Sequence, residues 1–133
     1  MDAFEASVEF GGGLDDCAHL HAWLDSLPWA STDLDAKSVS RIRLALAEAF
    51  SNAVLHAHGG QAGLPVRIHL AFTPAPESQV QLDITDCGPG FVLPSSTAPH
   101  PDAERGRGLL LLRKVAERIE YLQNTLTIWM RFP

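Results

Sequence analysis

Residues 38–58, SVSRIRLALAEAFSNAVLHAH, carry the strongest helical pattern in the chain, and their reading decides the fold. Ile42, Ala45, Leu46, Ala49 and Ala53 recur at the three- and four-residue spacing of one apolar helix face. Gly59 and Gly60 then terminate the helix. Beside that face stand Glu48, Asn52 and His56, at i, i+4 and i+8, a spacing that sets neighbouring Cβ atoms about 5–6 Å apart on a shared stripe. A carboxylate and a neutral amide next to a buried stripe suit a magnesium ion and a reacting oxygen. Asn is a hard-oxygen ligand that adds no charge, and magnesium takes much of its shell from water and phosphates. A Glu in hydrogen-bond reach of a hydroxyl accepts its proton. The spacing E-x3-N is nevertheless common, and by itself it also fits an ordinary polar stripe on an amphipathic helix.

Upstream, Ala6–Phe10 reads as a strand with Val8 and Phe10 on one side, broken by three glycines at 11–13. Leu14–Leu27 has helical spacing and stops at Pro28, and Trp29–Lys37 is a connector. Downstream, Val66–Phe72 and Val80–Asp86 alternate apolar and polar residues as half-buried strands do, with a turn at Pro74–Ser78 between them. Residues 92–105 hold Pro94, Pro99 and Pro101 and no periodicity, so they read as a long loop, a class rich in functional lids. Leu109–Glu117 is a further apolar helix. A hairpin closes the chain: Arg118–Leu122, a turn at Gln123 and Asn124, then Thr125–Phe132, with Leu126, Ile128, Met130 and Phe132 inward and Trp129 outward. This order predicts an α+β fold, a two-layer α/β sandwich with about three helices on one face of a mixed sheet.

The chain has 133 residues, which predicts one domain over 1–133 with a sizeable core. No apolar run reaches the roughly 20 residues of a membrane span. MDAFEASVEF lacks the basic and apolar regions of a secretory signal, so a cytoplasmic location is expected. Cys17 and Cys87 form neither metal spacing nor a disulfide pattern, and Cys87 reads as a small filler. His19 and His21 fall on the Leu14–Leu27 helix and His69 on the Val66–Phe72 strand, and all three read as ordinary polar residues. The formal net charge of -6 argues against nonspecific nucleic-acid binding. A polyphosphate site in such a chain needs local positive potential from a metal ion, a helix N-terminus or arginines.

Two further segments carry chemistry. In DCGPGF, 86–91, Asp86 shares parity with Val80, Leu82 and Ile84, so its carboxylate points toward the apolar face. A buried carboxylate needs donors; an adenine amino group and a water would supply them. Gly88 and Gly90 let the backbone approach a flat ring closely. The plainer reading, that D-x-G simply starts a turn, stands beside this one. In GRGLLLL, 106–112, Gly106, Arg107 and Gly108 open the helix at Leu109, whose free N–H groups favour phosphate, with Arg105 and Arg107 flanking the turn. No P-loop and no G-x-G-x-x-G is present.

In this order the three segments and the loop resemble the GHKL ATPase superfamily over about residues 38–132. The N-A-V-x-H-A wording at 52–57 is most similar to the small anti-sigma-factor serine/threonine kinases. The resemblance implies an ATP (or ADP) and Mg²⁺ site. Asn52 would coordinate the metal, Glu48 would be the general base and Asp86 would read adenine. His56 would stand near the nucleotide. Gly88 and Gly90 would form the base pocket, Gly106, Gly108 and Leu109 the phosphate turn, and residues 92–105 the ATP lid. Arg105 and Arg107 are both candidates for the γ-phosphate. The implied activity is phosphorylation of an anti-sigma-factor antagonist on Ser or Thr, with sequestration of a sigma factor in partner switching. The alternative is a nucleotide-sensing module that grips a regulatory partner without phosphorylating it. Neither nucleic acid nor membrane is an expected partner, and a homodimer is compatible because family members often dimerise.

Overall fold

The computed structural model describes residues 2–11, 13, 16–58, 63–90 and 111–133. Its elements are β1 (Phe4–Phe10), α1 (Cys17–Asp25), α2 (Ala36–Asn52), β2 (Val66–Thr73), β3 (Gln79–Thr85), β4 (Arg118–Leu122) and β5 (Thr125–Arg131). A 3-10 turn at Trp29–Ser31 precedes α2, a π turn at Ala53–Ala57 follows it, and residues 111–115 are helical. The predicted elements are therefore present with shifted ends. The apolar helix expected to reach Glu117 stops at residue 115, because the Glu117 N–H already donates to Trp129 O at 2.8 Å and joins the sheet.

The strands form one sheet in the order β1-β2-β3-β5-β4. Every ladder in it is antiparallel, which corrects the expected mixed sheet. The reason lies in the closing hairpin. β4 runs in the same direction as β3, but the tight turn after it folds β5 back into the slot between the two. A parallel pair never forms.

Alternation assigns the two faces. Val66, Ile68, Leu70 and Phe72 of β2, Val80, Leu82 and Ile84 of β3, and Leu126, Ile128 and Met130 of β5 are all buried. The register sets Val8 opposite Ile68, Ile68 opposite Ile84 and Leu82 opposite Ile128, so the apolar side chains form one continuous surface. Leu20 and Leu24 of α1, Ile42, Ala45, Leu46, Ala49 and Phe50 of α2, and Leu112 complete the core cluster with them. Full burial of one such Leu, Ile or Phe is worth about 1.5–3 kcal/mol, far above any per-residue helix propensity, so packing on the sheet holds α2 in place. The other face is polar and pairs its own charges. Arg67 Nε donates to Glu9 at 2.9 Å, His69 meets Ser7 Oγ at 2.7 Å, and the Arg118 guanidinium lies 4.5 Å over the Trp129 ring.

Two features fix α2 along its own axis. Asp35, in extended backbone, accepts the Ser38 N–H at 2.8 Å and caps the first turn. The Ser38 hydrogen bonds hold the Asp35 carboxyl below its ordinary pKa. At the far end the α-helix stops at Asn52, where uninterrupted helix to His58 is expected, and the His58 N–H reaches back to Ala53 O at 3.0 Å across the wider π turn. No helix among the described residues is long and apolar enough to cross a membrane.

Candidate functional site

Asp86 follows the last residue of β3 and is 4% exposed, as its parity with Ile84 requires. Three protein donors meet its carboxylate. The Tyr121 hydroxyl donates to Oδ2, the Asn124 side-chain amide donates to Oδ1 at 2.7 Å, and the Gly88 N–H donates to Oδ1 at 3.1 Å. The Gly88 bond is the side-chain turn that the plainer reading of D-x-G anticipates. Turn formation and an inward carboxylate thus coexist. The demand for donors that sequence reasoning assigned to adenine and water is met largely by the chain itself.

The loop at 86–90 is clamped to the end of the long helix. The Gly90 N–H donates to Ala57 O at 2.8 Å and the Cys87 N–H donates to His58 Nε2 at 3.2 Å. A Cβ on Gly88 would stand 2.3 Å from His58 Cα and 2.4 Å from Ala57 O, so backbone lies directly on backbone there. Gly90 has φ +83°, and a Cβ on it would meet Tyr121 Oη at 2.9 Å. The two glycines are therefore required by close approach of the protein to itself. Cys87 is exposed and fills no space, contrary to its reading as a filler.

His58 is fully buried, and its Nε2 accepts a backbone N–H, so the proton of the neutral ring sits on Nδ1. That Nδ1 has no hydrogen-bond partner among the described residues.

Glu48 and Asn52 occupy successive turns of α2 as expected. Glu48 is half-buried, and Asn52 is 8% exposed with no hydrogen bond to its side chain among the described residues. Its amide is not among the fully buried, unpartnered polar atoms of the described residues, so it stays open to a ligand or water. Asn52 therefore has the character of a ligating side chain, and it fits a magnesium ion carried in with phosphates. No group of three or more His, Cys, Asp and Glu among the described residues is placed to hold a metal by itself. His56 is half-buried on the π turn, so its angle to Glu48 and Asn52 differs from that of a continuous α-helix, and the stripe expected of all three holds for the first two.

The structure thus brings the end of the acid–amide helix and the Asp86 loop into direct contact. Residues 92–105 with Arg105, and Gly106, Arg107, Gly108 and Leu109, lie outside the described residues. Sequence reasoning missed Tyr121, Asn124 and His58. Asn124 comes opposite Asp86 only through the register that pairs Thr85 with Thr125, which no local pattern gives. Nothing in the pattern singles out Tyr121 or His58.

A search of curated proteins finds no match to the chain. A family model, the histidine kinase-like ATPase domain, matches residues 14–132. The matched span includes the acid–amide helix, the aspartate–glycine loop and the glycine-led segment. An antiparallel sheet covered on one face by helices, with Asp86 inward at the end of β3 and docked on the helix that carries Asn52, is thereby accounted for, and the chain belongs to the histidine kinase-like ATPase domain family.

Proposed function

We propose that this nucleotide-binding domain is an ATP- and Mg²⁺-dependent serine/threonine protein kinase that phosphorylates an anti-sigma-factor antagonist and, when unopposed, holds a sigma factor. The observation that carries the reading is Asn52, 8% exposed and with no side-chain hydrogen bond among the described residues, one turn beyond the half-buried Glu48. Nucleotide binding alone does not require a carboxylate there; transfer to a hydroxyl does.

In this reading Asp86 and the glycines beside it receive the base, and Asn52 holds magnesium. The metal, when bound, supplies positive charge against the phosphate oxygens. Glu48 takes the proton of the acceptor Ser or Thr hydroxyl as its oxygen bonds to the γ-phosphorus and the bond to the ADP oxygen breaks. Positioning and electrostatics carry most phosphoryl-transfer catalysis, so this short list of groups is sufficient.

Radiolabelled ATP with a purified antagonist partner tests the proposal. Glu48→Ala is expected to keep ATP affinity and lose transfer, whereas Asn52→Ala loses the magnesium-dependent part of binding. Wild-type turnover in Glu48→Ala removes the base assignment. Partner capture that depends on ATP or ADP, with no label transferred, favours the nucleotide-sensing module instead.

A further inference from the structure

Asp86 is held in a way that bears on which base it accepts, and this inference rests on the reading of Asp86 as the base-facing carboxylate. An ionised carboxylate has about four lone-pair positions, two on each oxygen. Oδ1 already takes two donors, the Asn124 amide at 2.7 Å and the Gly88 N–H at 3.1 Å. Oδ2 takes the Tyr121 hydroxyl. Among the described residues, the single position left is therefore on Oδ2.

This count distinguishes the purines. Guanine presents two donors side by side on its Watson–Crick edge, N1–H and the 2-amino group. A carboxylate with both oxygens open accepts such a pair bidentately, as it does the two N–H groups of an arginine. Adenine offers one amino donor at its 6-position. A carboxylate with Oδ1 saturated satisfies adenine and leaves one guanine donor buried without a partner.

We infer that Asn124 is a specificity-determining, positioning residue: by occupying Oδ1 of Asp86 it converts a carboxylate suited to guanine into a single acceptor suited to adenine. Its placement is built in. Gln123 and Asn124 have φ of 51° and 65°, the left-handed pair of a tight two-residue hairpin turn. The Asp86 N–H donates to Asn124 O at 2.8 Å, and the Asn124 amide also donates to Gly88 O at 2.8 Å. Turn, carboxylate and glycine loop are thus fixed to one another through this one side chain. Tyr121 holds the other oxygen and has no part in the discrimination.

The test is the affinity of the full chain for ATP, GTP and ITP with Mg²⁺, by calorimetry. ITP has the N1–H of guanine without the 2-amino group. Wild type is expected to prefer ATP to GTP by roughly 10-fold to 100-fold, the effect of one unpaired buried donor, and to bind ITP at least as tightly as GTP. Asn124→Gly keeps the left-handed backbone and removes the amide. It should lower the ATP:GTP ratio about 10-fold and let GTP overtake ITP. Tyr121→Phe opens only Oδ2 and should leave the ratio within about twofold of wild type. GTP binding wild type more tightly than ITP overturns the inference without any variant. So does an unchanged ratio in Asn124→Gly, or an equal fall in both variants. If wild type binds none of the three, the reading of Asp86 fails as well.

Discussion

Replacing Gly88 by alanine probes the clamp between the aspartate–glycine loop and the long helix. The added Cβ would lie 2.3 Å from His58 Cα and 2.4 Å from Ala57 O, both backbone atoms that no rotamer change can move aside. Carbon atoms in contact prefer about 3.5–4.0 Å, so the loop must retreat by about 1 Å or more. A retreat of that size stretches the Gly90 N–H bond to Ala57 O from 2.8 Å and the Cys87 N–H bond to His58 from 3.2 Å past useful length. Two hydrogen bonds at about 0.5–1.5 kcal/mol each, with about 1–3 kcal/mol for overpacking, give a loss of about 2–6 kcal/mol. For a domain of this size that lowers Tm by about 7–20 °C. Nucleotide affinity should fall with it, because Asp86 moves with its loop. The assay is thermal unfolding by circular dichroism, paired with ATP titration. Gly11→Ala is the control, since its Cβ would meet nothing closer than Asp16 Oδ2 at 3.8 Å. A Gly88→Ala protein with wild-type Tm and affinity refutes the packing argument.

Gly90→Ala forces a side chain into a left-handed backbone at φ +83° and against Tyr121, at a cost of about 1–2 kcal/mol or more; a Tm unchanged within error contradicts it. Asp86→Ala leaves the Tyr121 and Asn124 donors without their acceptor, so it should lower stability even without nucleotide, by about 1–3 kcal/mol in denaturant melts. The Asp35 cap makes a pH-dependent contribution. Because the folded pKa is depressed, the stabilisation is fully present above the ordinary carboxylate pKa and is lost as pH falls through the folded value. Wild type should therefore exceed Asp35→Ala in stability at neutral pH, with the difference shrinking in acid. A difference that grows on acidification contradicts the cap.

Much of the fold was legible because its two periodicities are clean. The period-two pattern of β2 and β3 named the buried face residue by residue, and the apolar stripe of α2 named the helix face that covers it. Sheet direction was not legible, since it depends on where β5 inserts, a tertiary choice that no local pattern encodes. At the site, Asp86 was readable from parity and Gly88 from turn chemistry. The π turn was hidden because Ala53–Ala57 reads as ordinary helix by composition, while docking to the Asp86 loop is a long-range contact. Tyr121 and Asn124 were invisible for the same reason: their role exists only once the hairpin register brings them to a carboxylate more than thirty residues away. The structure ties Gly88 to contact with the helix end and Gly90 to contact with Tyr121, where sequence reasoning tied both to a bound ring.

The central claim is a nucleotide site formed by Asp86 and Asn52 together, and calorimetric titration of ATP into the purified chain, with and without Mg²⁺, tests it most directly. The account predicts saturable one-to-one binding that strengthens with Mg²⁺, loses that dependence in Asn52→Ala and is abolished in Asp86→Ala. No saturable heat with wild type, or equal binding by both variants, contradicts it.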